Sequence, residues 1–306
     1  MLTALLIAGT AFWGWAIIEI LNDDEEDEDL DQDLIGTSGP DTLTGGDGND
    51  LLKGNGDDDL LRGNAGSVQV QGKEGADIGL GGTGDDVLRG AESADLLLGE
   101  DGDDRVFGDK ERDWAEGGAG DDEVAGGEGD DIAIGGEGED TVKGGNGSDF
   151  VFGGNFLERS LTVDELEAVR AAQGAGEPVE FPEDASPLIV DDGAADVLDG
   201  GRGDDLLFVG KGDNAGGGAG TDTFYLLGGD LLDPAEITDY SEEDEDLVYV
   251  YDEGADAPEI AFVDNGDGTQ TMTADGETVA LIQSSLTLTA DNVVLYERGS
   301  DDTALI

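Results

Sequence analysis

Aspartate recurs every nine residues through the first half of this sequence, at Asp41, Asp50, Asp59, Asp77, Asp86, Asp95, Asp104, Asp113, Asp122, Asp131, Asp140 and Asp149. The series is interrupted at Val68 and resumes further on at Asp196, Asp205 and Asp222. Carboxylates are hard oxygen donors. With backbone carbonyls to complete the shell they suit calcium, and suit magnesium or manganese less because those ions demand stricter geometry. His and Cys are both absent. That excludes disulfides, thiolate nucleophiles, the usual zinc sites, haem ligation through His and every triad with an imidazole base.

Charge points the same way. The chain of 306 residues carries 77 acidic against 13 basic side chains, a formal net charge of -64. A polyanion would be repelled at long range, so no nucleic-acid partner is expected. Cations are the expected partners, and a chain this charged is not expected to fold without them.

The elements that position these aspartates follow from the period. From Gly36 through Phe152, thirteen consecutive nonapeptides each begin with Gly, and twelve have Asp at the sixth position. The eighth position is Leu or Val in ten, the exceptions being Gly79, Ala115 and Ala133. Glycine at positions one, two and four, as in Gly81-Gly82-Thr83-Gly84-Asp85-Asp86, permits positive φ and a tight turn that exposes its carbonyls. Three residues then form a short strand, as in Val87-Leu88-Arg89, with the central side chain inward. Two such half-turns make a coil of eighteen residues, and stacked coils give two parallel sheets around a thin apolar row.

Residues eighteen apart then lie at the strand spacing of about 4.8 Å. Asp41, Asp59, Asp77, Asp95, Asp113, Asp131 and Asp149 form one ladder, and Asp50, Asp86, Asp104, Asp122 and Asp140 the other. Neighbouring carboxylates about 5 Å apart repel by roughly 1 kcal/mol in water and by several at an effective dielectric near 20. A divalent cation between successive turns reverses the sign, so binding energy serves as folding energy.

The segments GGDGNDLLK (Gly45 to Lys53), GGTGDDVLR (Gly81 to Arg89) and GGRGDDLLF (Gly200 to Phe208) resemble the RTX, or haemolysin-type, calcium-binding repeats of bacteria. The resemblance implies that glycine-rich turns supply carbonyls and the sixth-position Asp a carboxylate to calcium ions shared between turns. The fifteen aspartates named above are therefore the expected ligands of multiple calcium ions. Val68 cannot ligate, and Asp57, Ser93 and Glu111 replace the fourth-position Gly and put their turns in question.

The expected fold class is all-β, a parallel β-roll with a C-terminal β-rich capping domain, a short helical insert and an N-terminal hydrophobic helix. Residues 1–21 hold an apolar run, Leu2 to Leu21, about long enough to span a bilayer. Without a basic n-region it is open to reading as a cleaved signal, an uncleaved membrane anchor or a buried helix. An acidic linker follows over 22–35, the first repeats occupy 36–152, and 153–190 is an insert. There Thr162 and Glu165 form a capping box, flanked by Leu161 and Leu166, predicting a helix from about Val163 to Gln173 that stops at Gly174. Repeats resume over 191–225 through one degenerate eight-residue unit. Residues 226–306 read as β-strands at Leu247 to Tyr251, Ile260 to Val263, Gln270 to Ala274, Thr278 to Gln283 and Asn292 to Tyr296, with turns at Asn265 to Gly268 and Asp275-Gly276. The ending Asp301 to Ile306 resembles a type I secretion signal.

Other motifs are better explained by the register. Arg202-Gly203-Asp204 and the sequon Asn146-Gly147-Ser148 both lie inside calcium turns, and no glycine loop carries the Lys of a phosphate loop. The expected function is calcium binding with calcium-coupled folding, in a secreted or surface protein of adhesive or matrix-like role, whose protein or polysaccharide surface partner the sequence leaves open. It is not expected to be an enzyme. The alternatives are the repeat region of an extracellular protease, lipase or polysaccharide epimerase, or a simple calcium buffer.

Overall fold

In a computed structural model, residues 16–17, 31–157, 161–175, 187–228, 233–241, 245–252 and 254–298 are described. The nonapeptides alternate between two sheets. One has twelve strands and the other thirteen, and through the repeats consecutive strands of the chain fall in opposite sheets. Pairing is parallel with an offset of eighteen, as in Leu61 beside Gly79 and Gly79 beside Leu97 in the first sheet. In the second sheet Val70 pairs with Leu88 and Leu88 with Val106. The period of the sequence is thus the pitch of the coil.

The eighth-position side chains meet between the sheets, and Leu52, Leu61, Leu88, Leu97, Val106, Val124, Val142 and Val151 are fully buried there. The three exceptions, Gly79, Ala115 and Ala133, all lie in the first sheet. A Cβ at Gly79 would crowd Leu97 and Val70 side chains, so the gap is already filled by its neighbours.

The two sheets differ on their outer faces, which the repeat alone did not reveal. The first sheet carries a second apolar layer outside: Ile78, Leu80, Leu96, Leu98, Trp114, Ile134, Phe150 and Phe152 are buried with Phe156, Leu166, Val169 and Ile189 of the insert. The insert therefore covers one flank of the roll. Its helix runs Val163–Ala175, through Gly174 rather than stopping before it. Glu165 reaches back to accept from the Thr162 amide at 2.7 Å, as a capping box requires. An antiparallel pair, Asn155–Leu157 with Pro187–Val190, closes the base of the insert. Arg170 pins the helix to the roll by donating to the Ala76 carbonyl at 3.0 Å.

The roll continues in register across this excursion. Val142 pairs with Leu198 and Val151 with Leu207. The next coil is one residue short, with Leu198 beside Ala215 and Leu207 beside Phe224, as the eight-residue unit demands.

The C-terminal strands fall close to their expected positions, at Asp246–Tyr251, Ile260–Asp264, Thr269–Ala274, Glu277–Gln283 and Val293–Glu297, with a further strand at Ala235–Ile237. They are less separate than a capping domain implies. Asp246–Tyr251 and Val293–Glu297 extend the first sheet in parallel, while Ala235–Ile237 and Glu277–Gln283 extend the second. Only the last two strands of the second sheet turn antiparallel. Inner-face residues such as Leu247, Ile237 and Ile282 keep the same apolar row going.

Of the apolar N-terminal run only Ala16–Ile17 is described, and it is extended beside Asp41–Thr42 rather than helical. Among the described residues no helix is long and apolar enough to cross a membrane. The remainder of that run and the ending at Asp301 to Ile306 lie outside the described residues.

Candidate metal centre

The turns between strands line the two long edges of the roll. Most are tightened by positive φ, for example at Gly82 (119°) and Gly84 (115°). The substituted fourth positions adopt the same turn: φ is 67° at Asp57, 82° at Ser93 and 71° at Glu111. Coil stacking imposes that conformation against the preference of an L residue, at a cost of order 1–3 kcal/mol each.

The sixth-position aspartates point into the turns and are almost wholly buried, with exposures of 0–4% for all fifteen predicted ligands. One carboxylate oxygen has a fixed job. Asp59 Oδ1 accepts from the Asp41 amide at 2.7 Å, Asp77 Oδ1 from Asp59 at 2.8 Å, and Asp95 Oδ1 from Asp77 at 2.7 Å. The second edge repeats this, with Asp104 Oδ1 accepting from Asp86 and Asp122 Oδ1 from Asp104. The ladders cross the insert, since Asp196 Oδ1 accepts from Asp140 and Asp205 Oδ1 from Asp149. Asp222 continues the first edge by accepting from Asp205.

The other oxygen has no such partner. Oδ2 of Asp59, Asp77, Asp95, Asp113, Asp131, Asp149, Asp205 and Asp222 on the first edge is buried and meets no donor. The same holds for Asp86, Asp104, Asp122, Asp140 and Asp196 on the second. A buried charged oxygen left bare costs several kcal/mol, so a whole series of them calls for a counter-ion. Each bare oxygen lies against the glycine that opens its turn, with Gly153, before the insert, taking that place for Asp196. A Cβ on Gly81 would collide with Asp86 Oδ2 and come within 2.6 Å of the Gly99 carbonyl oxygen one coil on. Glycine is therefore required there by close approach of two oxygens.

Burial sets the protonation of these groups. It pushes Asp95 up to about 9 from an ordinary 3.8, aided by the charges of Asp77, Asp113 and Asp109 and opposed by the Asp77 amide. Burial likewise raises Asp77, Asp113 and Asp140 to about 8, and Asp59, Asp86 and Asp122 to about 7. Asp104 and Asp131 rise to about 6 for the same reason. Such carboxylates are high in free energy when ionised and bare, which favours a bound cation.

The donor set fits calcium. Among the described residues no three acidic side chains gather into one cluster. A cation at these turns would take single carboxylates from stacked coils and complete its shell with backbone carbonyls, the oxygen-rich coordination calcium accepts. Val68 breaks the second ladder as a ligand but not as backbone, since its amide still donates to Asp86 Oδ1 at 2.7 Å.

Two features escaped the sequence reading. Asp213, in the eight-residue unit, is 1% exposed and joins the second ladder, its Oδ1 accepting from the Asp196 amide at 3.1 Å. Counting back nine from Asp222 finds it. The fifth-position residues form a further ladder of opposite sense: Asp58, Asp103, Asp121 and Asp130 accept from the fifth-position amide one coil later. The paired aspartates of the repeat are thus one buried and one exposed, stitching each turn to the coils on both sides.

Comparison with known families decides what these repeats are. The RTX calcium-binding nonapeptide repeat pattern, four copies long, matches residues 35–70, 71–106, 98–133, 125–156 and 188–215. The chain is an RTX repeat protein. Its repeats are of the calcium-binding type, so the match and the bare carboxylates agree on the ion. No curated protein matches the chain significantly in sequence. Among seven similar solved chains is the crystal structure of the extracellular lipase LipA from Serratia marcescens, with 18% identity and a TM-score of 0.28. That match covers 92% of this chain but 42% of the lipase, so the chain spans under half the lipase's length.

Proposed function

We propose that this RTX protein binds several calcium ions through its sixth-position aspartates and that binding drives the folding of the roll. The observation that carries the reading is the run of buried aspartates whose Oδ2 has no donor. Without a cation those groups must be held either bare or protonated far above their ordinary range, and either state opposes folding. With calcium the same groups become the strongest contacts between coils.

The proposal extends to setting. In a cell interior poor in calcium the repeats would stay unfolded and fit for export; outside, millimolar calcium would fold them in place, in keeping with the affinities of about 10⁻⁴ to 10⁻³ M of extracellular modules. We place the protein outside the cell or on its surface, with residues 2–21 as a signal or attachment. The folded roll would itself be the working body, adhesive or matrix-like, and not an enzyme. A chain without His or Cys lacks the commonest catalytic bases and nucleophiles.

Small-angle X-ray scattering of the whole chain tests this. In chelator the radius of gyration should be that of an expanded chain, and millimolar calcium should collapse it to an elongated rod. A rod of unchanged dimensions in chelator would refute calcium-driven folding.

A further inference from the structure

We infer that the cation sites form two unequal rows, an unbroken one on the first edge and a shorter one on the second, bounded by Val68 at one end and Asp213 at the other. The inference rests on the calcium reading above and deepens it.

Interior ladder members keep Oδ2 free of any donor, eight on the first edge and five on the second. On the first edge Asp41 accepts from the Thr37 amide at Oδ2 and keeps Oδ1 bare, whereas two aspartates of the second edge have both oxygens satisfied. Asp50 Oδ1 accepts from the Gln32 amide at 2.7 Å and its Oδ2 from the Gly46 amide at 2.8 Å. Asp213 Oδ1 accepts from the Asp196 amide and its Oδ2 from the Gly210 amide at 2.7 Å. In both, an amide hydrogen points at the oxygen that would otherwise face the ion, so a cation there would meet a positive dipole end instead of a bare lone pair. Both are buried acids already satisfied by the chain itself.

The physical cause lies in the local backbone. The one-residue deletion leaves Gly210 three residues before Asp213, where its amide donates to Oδ2, against four residues between Gly46 and Asp50. The Gly46 amide belongs to the first full turn of the second edge. Val68 adds a third boundary: the turn around it is intact, yet its side chain fills the place of a carboxylate, and a Cβ on Gly63 would come within 2.9 Å of Val68 Cγ2. Asp86, Asp104, Asp122, Asp140 and Asp196 are left as the liganding stretch of the second edge. Asp50 and Asp213 act as self-satisfied ends that position their turns without holding an ion.

The test is calcium stoichiometry of the whole chain by equilibrium dialysis, with circular dichroism confirming that each variant is folded in calcium. Asp122→Asn, an interior control, should lower the calcium bound. Asp50→Asn and Asp213→Asn should leave it unchanged, and Val68→Asp should raise it. A loss on Asp213→Asn or Asp50→Asn equal to that of Asp122→Asn would overturn the boundaries, as would a folded Val68→Asp that binds no more than the parent. If Val68→Asp does not fold, the Asp213→Asn and Asp50→Asn arms decide alone. Should Asp122→Asn also lose nothing, the ladder reading fails, and with it the division into rows.

Discussion

Replacing Asp95 by Asn should change stability in opposite directions with and without calcium. Asp95 is wholly buried, with Oδ1 holding the Asp77 amide and Oδ2 bare. Burial places its pKa near 9 in the metal-free roll, so at about pH 7.5 the folded chain must carry it as the neutral acid. Protonating a group whose ordinary value is 3.8 costs about 1.4 kcal/mol per pH unit, or on the order of 5 kcal/mol at that pH. Asn is neutral from the start and keeps an oxygen for the Asp77 amide, so the metal-free roll should gain several kcal/mol. In calcium the same change removes a carboxylate from the donor set and aims an amide group at the ion. The calcium midpoint should then rise at least threefold. The assay is β-structure followed by circular dichroism, once in chelator with trimethylamine oxide titrated in to promote folding, and once against calcium. Destabilisation in both conditions, or no change in either, would refute the claim that Asp95 is a bare ligand carboxylate.

Four further outcomes follow from the same geometry. The raised carboxyls bind protons more tightly folded than unfolded, so their contribution is complete below their ordinary pKa and is lost as pH climbs through about 6 to 9. In chelator, therefore, acidification from about pH 8 to 5 should produce β-structure by circular dichroism, and a roll that loses structure on acidification would contradict the sign. Gly82→Ala should cost roughly 3 kcal/mol in denaturant unfolding with calcium present, because φ is 119° and the new Cβ meets the Asn64 carbonyl. The reverse change at the equivalent Ala91, where φ is 92°, should stabilise by about 1 kcal/mol. Finally, Arg170→Met removes a donor from the Ala76 and Asp59 carbonyls, and should speed amide exchange in Val163–Ala175 by roughly tenfold while leaving the repeats protected.

The repeat made much of this fold legible, because the coil pitch, the inward row and the buried aspartates are all consequences of one nine-residue period. The asymmetry of the sheets was legible in principle. Leu96-Leu97-Leu98 and Phe150-Val151-Phe152 lie in one sheet, whereas Gln69-Val70-Gln71 and Thr141-Val142-Lys143 lie in the other, so the outer positions follow a period of eighteen. Nothing local says what covers an apolar outer face, and the insert that does so is distant in sequence. Asp213 was missed because a deletion shifts it out of frame, although the coil absorbs the lost residue in its turn. The C-terminal strands read as a separate unit because they lack the glycine turns. Their pairing is set by inward residues such as Leu247 and Val293, which continue the row without the repeat.

At neutral pH, where most of these carboxylates would be ionised in the unfolded chain, it is calcium that folds the roll. Far-ultraviolet circular dichroism of residues 34–306 during a calcium titration, with magnesium at equal ionic strength alongside, tests it most directly. The geometry predicts a cooperative gain of β-structure with calcium alone, since the turns offer carbonyl-rich, flexible shells that magnesium does not favour. A chain already fully folded in chelator at neutral pH, or folded equally by magnesium, would contradict it.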